Sequence, residues 1–299
     1  MSALKIFFRI CNILSYPFTN WTNRKNVAIT KDIVYDASNP DILKADYYYI
    51  NQTERKYPVL VNIHGGGFVE GDKKFRKGFS ISAAKEGYFV VNINYGLCPD
   101  NKFPYFINNV ISALNHITDI TDQYNLDKDK IILSGDSSGA FIAAVSAAAV
   151  SDSNFRTAIG AEECKAKIKA LMLFCGLYDL NTVCTEKGVF RKKLNYAEIL
   201  TSLNKEELEE KGLFNLLTPQ NYVTSDFPPS FIAYSTTDLF CNGTSKILID
   251  ALKSKNIDHE VFEGRNLEDI HCFHLRPIIK NSAKCLDKGF NFLTKILNN

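Results

Sequence analysis

The chain has 299 residues, 45% of them hydrophobic, which is enough apolar material to fill a large core. Its 35 basic and 33 acidic side chains leave a formal charge of +2, and no basic block or aromatic-interleaved basic stripe marks it for nucleic acid. Eight cysteines lie scattered without C-x-x-C spacing in a chain too long to need a disulfide framework, so free thiols in a reducing cytoplasm are expected.

Residues 1–18 superficially suggest a secretory leader, but Arg9 interrupts the apolar stretch and no small-residue cleavage site follows. Neither a leader nor a spanning helix is expected. Apolar residues at 3, 6, 7, 10, 13 and 14 follow helical spacing instead. A helix packed on the protein's own body is favoured over contact between residues 1–18 and a membrane surface.

From about residue 27 to 180, short apolar runs alternate with longer amphipathic ones, as in strands joined by helices. Strands are predicted at 31–35, 44–50, 58–63, 89–95, 130–133 and 168–174. Helices are predicted at 79–86, at 104–124 with Pro104 in the first turn, and at 138–150, an alanine-rich run. The alternation stops between 176 and 229, where the charged run Lys205-Glu206-Glu207-Leu208-Glu209-Glu210-Lys211 reads as the solvated face of a helix in an inserted lid. It resumes with a strand at 230–234, a helix at about 243–253, a strand at 260–262 and a last helix at about 278–297.

Two motifs carry chemistry. Gly135-Asp136-Ser137-Ser138-Gly139 follows a strand-like run and fits G-x-S-x-G, a sharp strand-to-helix turn that lifts a serine hydroxyl above a sheet. Alone it is weak, since glycine's usual abundance produces it by chance in roughly one chain in ten of this size. His64-Gly65-Gly66-Gly67, also at the end of an apolar run, is much rarer and fits a loop offering main-chain N–H groups to an oxyanion. The pair makes coincidence a poor account.

A serine nucleophile needs a base and a carboxylate to orient it, and in this arrangement they follow the serine in the order acid, histidine. His259, His271 and His274 lie after Ser137. His259 starts a predicted strand and reads as a surface residue, so His271, in the loop before the last helix, is the expected base and His274 the alternative. The first carboxylate after the strand at 230–234 is Asp238, the expected acid. Its other reading is a turn or helix cap. The amides of Gly65, Gly66 and Ser138 are the expected oxyanion donors. His64 reads as a brace of the glycine loop, Asp136 as a stabiliser of the elbow, and Cys272 as a loop filler beside the base. Phe68, Tyr95 and Phe240 neighbour the motifs and are candidate pocket residues, with ordinary core as their alternative.

These motifs, together with Asn94-Tyr95-Gly96-Leu97-Cys98-Pro99-Asp100, Leu217-Thr218-Pro219, Phe227-Pro228-Pro229-Ser230 and His271-Cys272-Phe273, resemble the hormone-sensitive-lipase-like branch of the α/β-hydrolase superfamily, the bacterial esterases and acetyl esterases. The resemblance runs from about residue 46 to the last helix. It implies an α/β-hydrolase fold, one domain over 1–299 with a mostly parallel central sheet flanked by helices. A helical cap would come from about 1–30 and about 180–225. It also implies the same roles for Ser137, Asp238, His271, Gly65, Gly66 and Ser138. Gly96, Asp100 and Asn109 depart from the branch's usual arginine, glutamate and aspartate, at positions that brace the loop beneath the site.

The expected activity is hydrolysis of small or medium acyl esters through an acyl-serine intermediate, with a small-molecule ester as partner and no metal or cofactor. An arylformamidase or sugar-ester deacetylase would use the same triad. The branch also includes non-catalytic hormone receptors, but those lose the histidine base and this chain retains one.

Overall fold

The computed structural model describes residues 3–51, 54–178, 200–201, 203–241 and 243–298. Eight strands form one sheet in the order β1-β2-β4-β3-β5-β6-β7-β8: β1 Ala28–Val34, β2 Lys44–Tyr49, β3 Tyr57–Ile63, β4 Phe89–Ile93, β5 Leu126–Asp136, β6 Ile168–Phe174, β7 Ser230–Ser235 and β8 His259–Gly264. The pairs β1–β2 and β2–β4 are antiparallel, and every pair from β4 to β8 is parallel. Parallel strands are covered on both faces, which is why β3, β4 and β6 read as near-continuous apolar runs.

Helices α1 Ala3–Thr19, α2 Lys77–Lys85, α3 Tyr105–Asp119, α4 Thr121–Tyr124, α5 Ser138–Ser151 and α6 Ser153–Ile159 precede β6 or join the strands before it. Short helices α7 Lys205–Glu210, α8 Leu213–Leu216 and α9 Pro219–Tyr222 follow, and α10 Thr244–Ser254 and α11 Lys280–Leu297 flank β8. One apolar layer joins the sheet to α3, α5 and α10, and the other packs Phe79 of α2 and Phe290 and Leu293 of α11 on the opposite face. Helix α5 is buried nearly all round, so its alanines replace an amphipathic pattern with close approach to the sheet.

Every expected strand is present, and β5 runs longer than expected at both ends. The helix expected over 104–124 divides at Ile120. Thr118 Oγ1 donates to Asn115 O at 2.6 Å, and Thr121 Oγ1 donates to Thr118 O and Ile117 O, competing with the helical ladder at the break. Helix α7 forms within the expected lid and begins with a capping box between Asn204 and Glu207. Residues 180–199 of the expected lid lie outside the described residues.

Strand β4 lies on one side of β3 and β5 on the other, so the connections leaving β3 and β4 diverge at the carboxyl ends of β3 and β5. Such a switch point leaves a crevice, and both glycine motifs end there. Register sets Ile63 beside Gly135, and Asp136 beside Phe174.

Candidate active site

Ser137 links β5 directly to α5 with φ 54° and ψ −123°, a conformation that is strained for a residue with a side chain. Its amide donates to Phe174 O at 2.9 Å. The flanking glycines are sterically required: a Cβ on Gly135 would strike the backbone of Gly139, and one on Gly139 would strike Ile63 O. The turn lifts the serine from the sheet and aims the amino end of α5 at the same point. Ser138 contributes the first amide of that helix, which has no partner within the helix.

Beside it lies the loop after β3. A Cβ on Gly65 would come within 2.6 Å of Asp136 O and 2.9 Å of Ser137 Cβ, so only glycine lets this backbone approach the serine. Among the described residues, neither the Gly65 nor the Gly66 amide donates to another protein group. Both remain available to a bound oxygen. His64 braces the loop: it stacks on Tyr95 at 4.5 Å, and its Nδ1 lies 3.0 Å from Gly65 O. Burial pulls its pKa down to about 4, so it is neutral at physiological pH.

Asp238 follows β7 and is 2% exposed. Its Oδ1 accepts from Phe240 N at 2.8 Å and Cys241 N at 3.1 Å, and its Oδ2 lies 2.7 Å from His271 Nδ1. Burial opposes its charge, but His271 and the two amides outweigh burial and hold the carboxyl below its ordinary range. One oxygen of Asp238 thus serves the turn while the other faces His271. For His271 burial again opposes the charge, and the adjacent Cys272 together with the Asp238 carboxylate raises the imidazole's pKa above its ordinary value. Burial pushes the Cys272 thiol itself far up.

The loop bearing His271 is tied down at several points. Arg276 Nη2 donates to His271 O at 2.8 Å, and Thr237 Oγ1 donates to Asp269 O at 3.1 Å, joining this loop to the one that carries Asp238. Fully buried Asp269 accepts from Asn266 N and Asn281 Nδ2. His274, the alternative base, is 3% exposed and stacks flat on Phe174 at 3.8 Å. Burial drives its pKa down to about 3.

Beneath the elbow, Arg76 grips Asp136 with two bonds, Nε to Oδ1 at 2.5 Å and Nη2 to Oδ2 at 2.6 Å. Both side chains are buried. This gives Asp136 the bracing role expected of it. Arg76 itself had no sequence signal, being one of 35 basic residues and 60 positions away. Asn109 Oδ1 accepts from Gly96 N at 3.0 Å, so two of the three departing positions bond to each other at the neighbouring loop.

Ser137, His271 and Gly66 open into a cavity of about 550 Å³ whose other walls include Phe7, Phe8 and Leu14 of α1 and Leu239, Phe240, Ile270 and Leu275. Phe240 lines this cavity, 5.0 Å from the His271 ring and 6.4 Å from Phe8. Tyr95 does not. It is 2% exposed beneath the glycine loop, where its hydroxyl donates to His64 O at 2.8 Å. Phe68 lines a separate recess beside Ser137, with Phe8, Gly67, Leu177, Phe240 and Cys241, that has room of only about 10 Å³. Helix α1 falls within the stretch of about 1–30 from which a cap was expected, and it lines this cavity with Phe7, Phe8 and Leu14.

Two groups of donor atoms within 4.8 Å of one another could hold a metal among the described residues, Cys175–His271–Cys272 and Asp238–Cys241–His271. Each would take His271 away from the serine chemistry. No helix among the described residues is long and apolar enough to cross a membrane.

The BD-FAE family model matches residues 45–252. An acetyl esterase of Salmonella paratyphi A (strain ATCC 9150 / SARB42) is 30% identical over 246 residues, covering 78% of this chain and 71% of the relative. Among solved structures, esterase B from Lactobacillus rhamnosis (HN001) superimposes with a TM-score of 0.79 at 18% identity, covering 98% of this chain and 97% of the other. A bacterial heroin esterase superimposes with a TM-score of 0.78 at 18% identity, covering 99% and 92%.

Proposed function

The chain belongs to the BD-FAE family, within the hormone-sensitive-lipase-like esterases of the α/β-hydrolase superfamily, and from that premise we propose how its residues divide the work of ester hydrolysis. It is a carboxylic ester hydrolase. Ser137 Oγ attacks the ester carbonyl while His271, through Nε2, takes its proton. Asp238 holds Nδ1–H and stabilises the imidazolium. The carbonyl oxygen, now an anion, is received by the amides of Gly65, Gly66 and Ser138. His271 returns the proton to the departing alcohol, and water then releases the acyl group from Ser137 by the same steps in reverse roles.

The observation that carries this reading is the 2.7 Å Asp238–His271 pair facing the same cavity as Ser137, beside glycine amides with no acceptor among the described residues. Residues 1–30 and 180–225 form the cap of a single domain in this account, with α1 roofing the cavity.

The acyl group is short. The recess that Phe8, Phe68, Leu177 and Phe240 leave beside Ser137 has space for about one small group, which suits acetyl, whereas the 550 Å³ cavity suits a larger apolar alcohol. The relatives named acetyl esterases support the same reading. Hydrolysis of nitrophenyl acetate, butyrate and octanoate tests it. The expected order of kcat/KM is acetate first and octanoate last, and a preference for octanoate would reverse the assignment of the two spaces.

A further inference from the structure

Helix α1 lines the catalytic cavity with one side and carries exposed isoleucines on the other. At about 100° per residue, Phe8, Asn12, Ser15 and Thr19 fall together and line the catalytic cavity, whereas Ile6, Ile10 and Ile13 fall on the far side. Those isoleucines are 41%, 51% and 56% exposed, and exposed apolar side chains continue past the helix to Trp21 at 77%. An apolar face of this width is ordinarily covered. It also extends to the cavity mouth, because Leu14, Leu239 and Ile270 are exposed and line the cavity as well.

Charge identifies the cover. Residues 1–31 contain Lys5, Arg9, Arg24, Lys25 and Lys31 and no carboxylate, leaving 30 of the 35 basic side chains against all 33 acidic ones elsewhere. Arg24 and Lys31 also stand near Lys77, whose ammonium is depressed by burial and then by their repulsion. A symmetric contact with a second copy would set this cationic segment against itself. An anionic lipid surface instead meets both features, the apolar stripe and the excess of cations.

We propose that the outer face of α1, with Trp21, docks this protein on an anionic bilayer, the isoleucines entering the headgroup boundary and the flanking cations meeting the phosphates. Docking brings the cavity mouth to the bilayer. Uptake of apolar esters from it rests on the hydrolase reading above, but docking itself does not, and Ser137→Ala protein should bind as wild type does.

Trp21 is the chain's one tryptophan, so its fluorescence reports the contact directly. Full-length protein is titrated with phosphatidylcholine vesicles with and without phosphatidylglycerol, and bound protein is counted by flotation. The expected result is a blue shift and flotation with the anionic vesicles, weakened by salt. The double variant Ile10→Glu/Ile13→Glu should bind roughly tenfold less or weaker still, with nitrophenyl acetate turnover unchanged as proof of folding. Absence of wild-type binding to anionic vesicles overturns the proposal, as does equal binding by the double variant. A wild-type dimer that the double variant dissociates, with no vesicle binding, assigns the face to a second copy and overturns it too.

Discussion

Asp238 reaches His271 across two loops that leave neighbouring strands β7 and β8, and the two side chains meet at 2.7 Å with the carboxylate's other oxygen held by two main-chain amides. That double hold ties the carboxylate to the backbone independently of its bond to the histidine. Asp238→Asn keeps the acceptor for the amides but sets a neutral amide against Nδ1 and disfavours the productive tautomer. Its kcat for nitrophenyl acetate should fall on the order of 10³- to 10⁴-fold with KM little altered. A variant within threefold of wild type would remove Asp238 from the mechanism.

The same pair sets the pH dependence. Catalysis needs neutral His271, and Cys272 and the Asp238 carboxylate together raise the pKa of the imidazole against the opposing effect of burial. Activity should therefore rise with pH, with a kcat/KM midpoint above the ordinary imidazole value of about 6.5. In Asp238→Asn the residual activity should show a lower midpoint. A flat profile from pH 6 to 9 would contradict a histidine base.

Phe68 closes the recess beside Ser137. Phe68→Ala should enlarge it and raise the octanoate-to-acetate ratio of kcat/KM by roughly tenfold, since a few methylenes accommodated in an apolar slot are worth about 1–3 kcal/mol. An unchanged ratio would place the acyl chain elsewhere.

Arg76 and Asp136 are buried together beneath the elbow. Arg76→Met leaves an unpaired buried carboxylate and should cost about 3–5 kcal/mol in urea unfolding, whereas pairing it with Asp136→Leu should recover part of that loss. A loss in the double variant equal to the sum of the losses in Arg76→Met and Asp136→Leu alone would show that the two side chains are not coupled.

Much of the fold and most of the site could be read from local sequence. The elbow and glycine loop depend on steric demands confined to a few residues, and the order serine, acid, histidine then narrowed the partners to Asp238 and His271. Long-range packing was not readable in this way. Tyr95 sits next to a motif yet turns beneath the loop to bond His64 O, and Arg76 pairs with a residue 60 positions on. Helix α1 showed its periodicity and, through the resemblance, its place in a cap, but only the fold reveals that one side lines the cavity while the isoleucines of the other face water. The division of the helix at Ile120 arose from threonine hydroxyls bonding locally, which a pattern of apolar spacing does not register.

The central claim is that Ser137 carries the acyl group. Treating the protein with diethyl nitrophenyl phosphate and mapping the adduct by peptide mass spectrometry tests this most directly. The predicted result is one diethylphosphoryl group on Ser137, loss of esterase activity in step with labelling, and no labelling or turnover in Ser137→Ala. Stoichiometric labelling of another residue, or undiminished turnover by Ser137→Ala, would contradict the account.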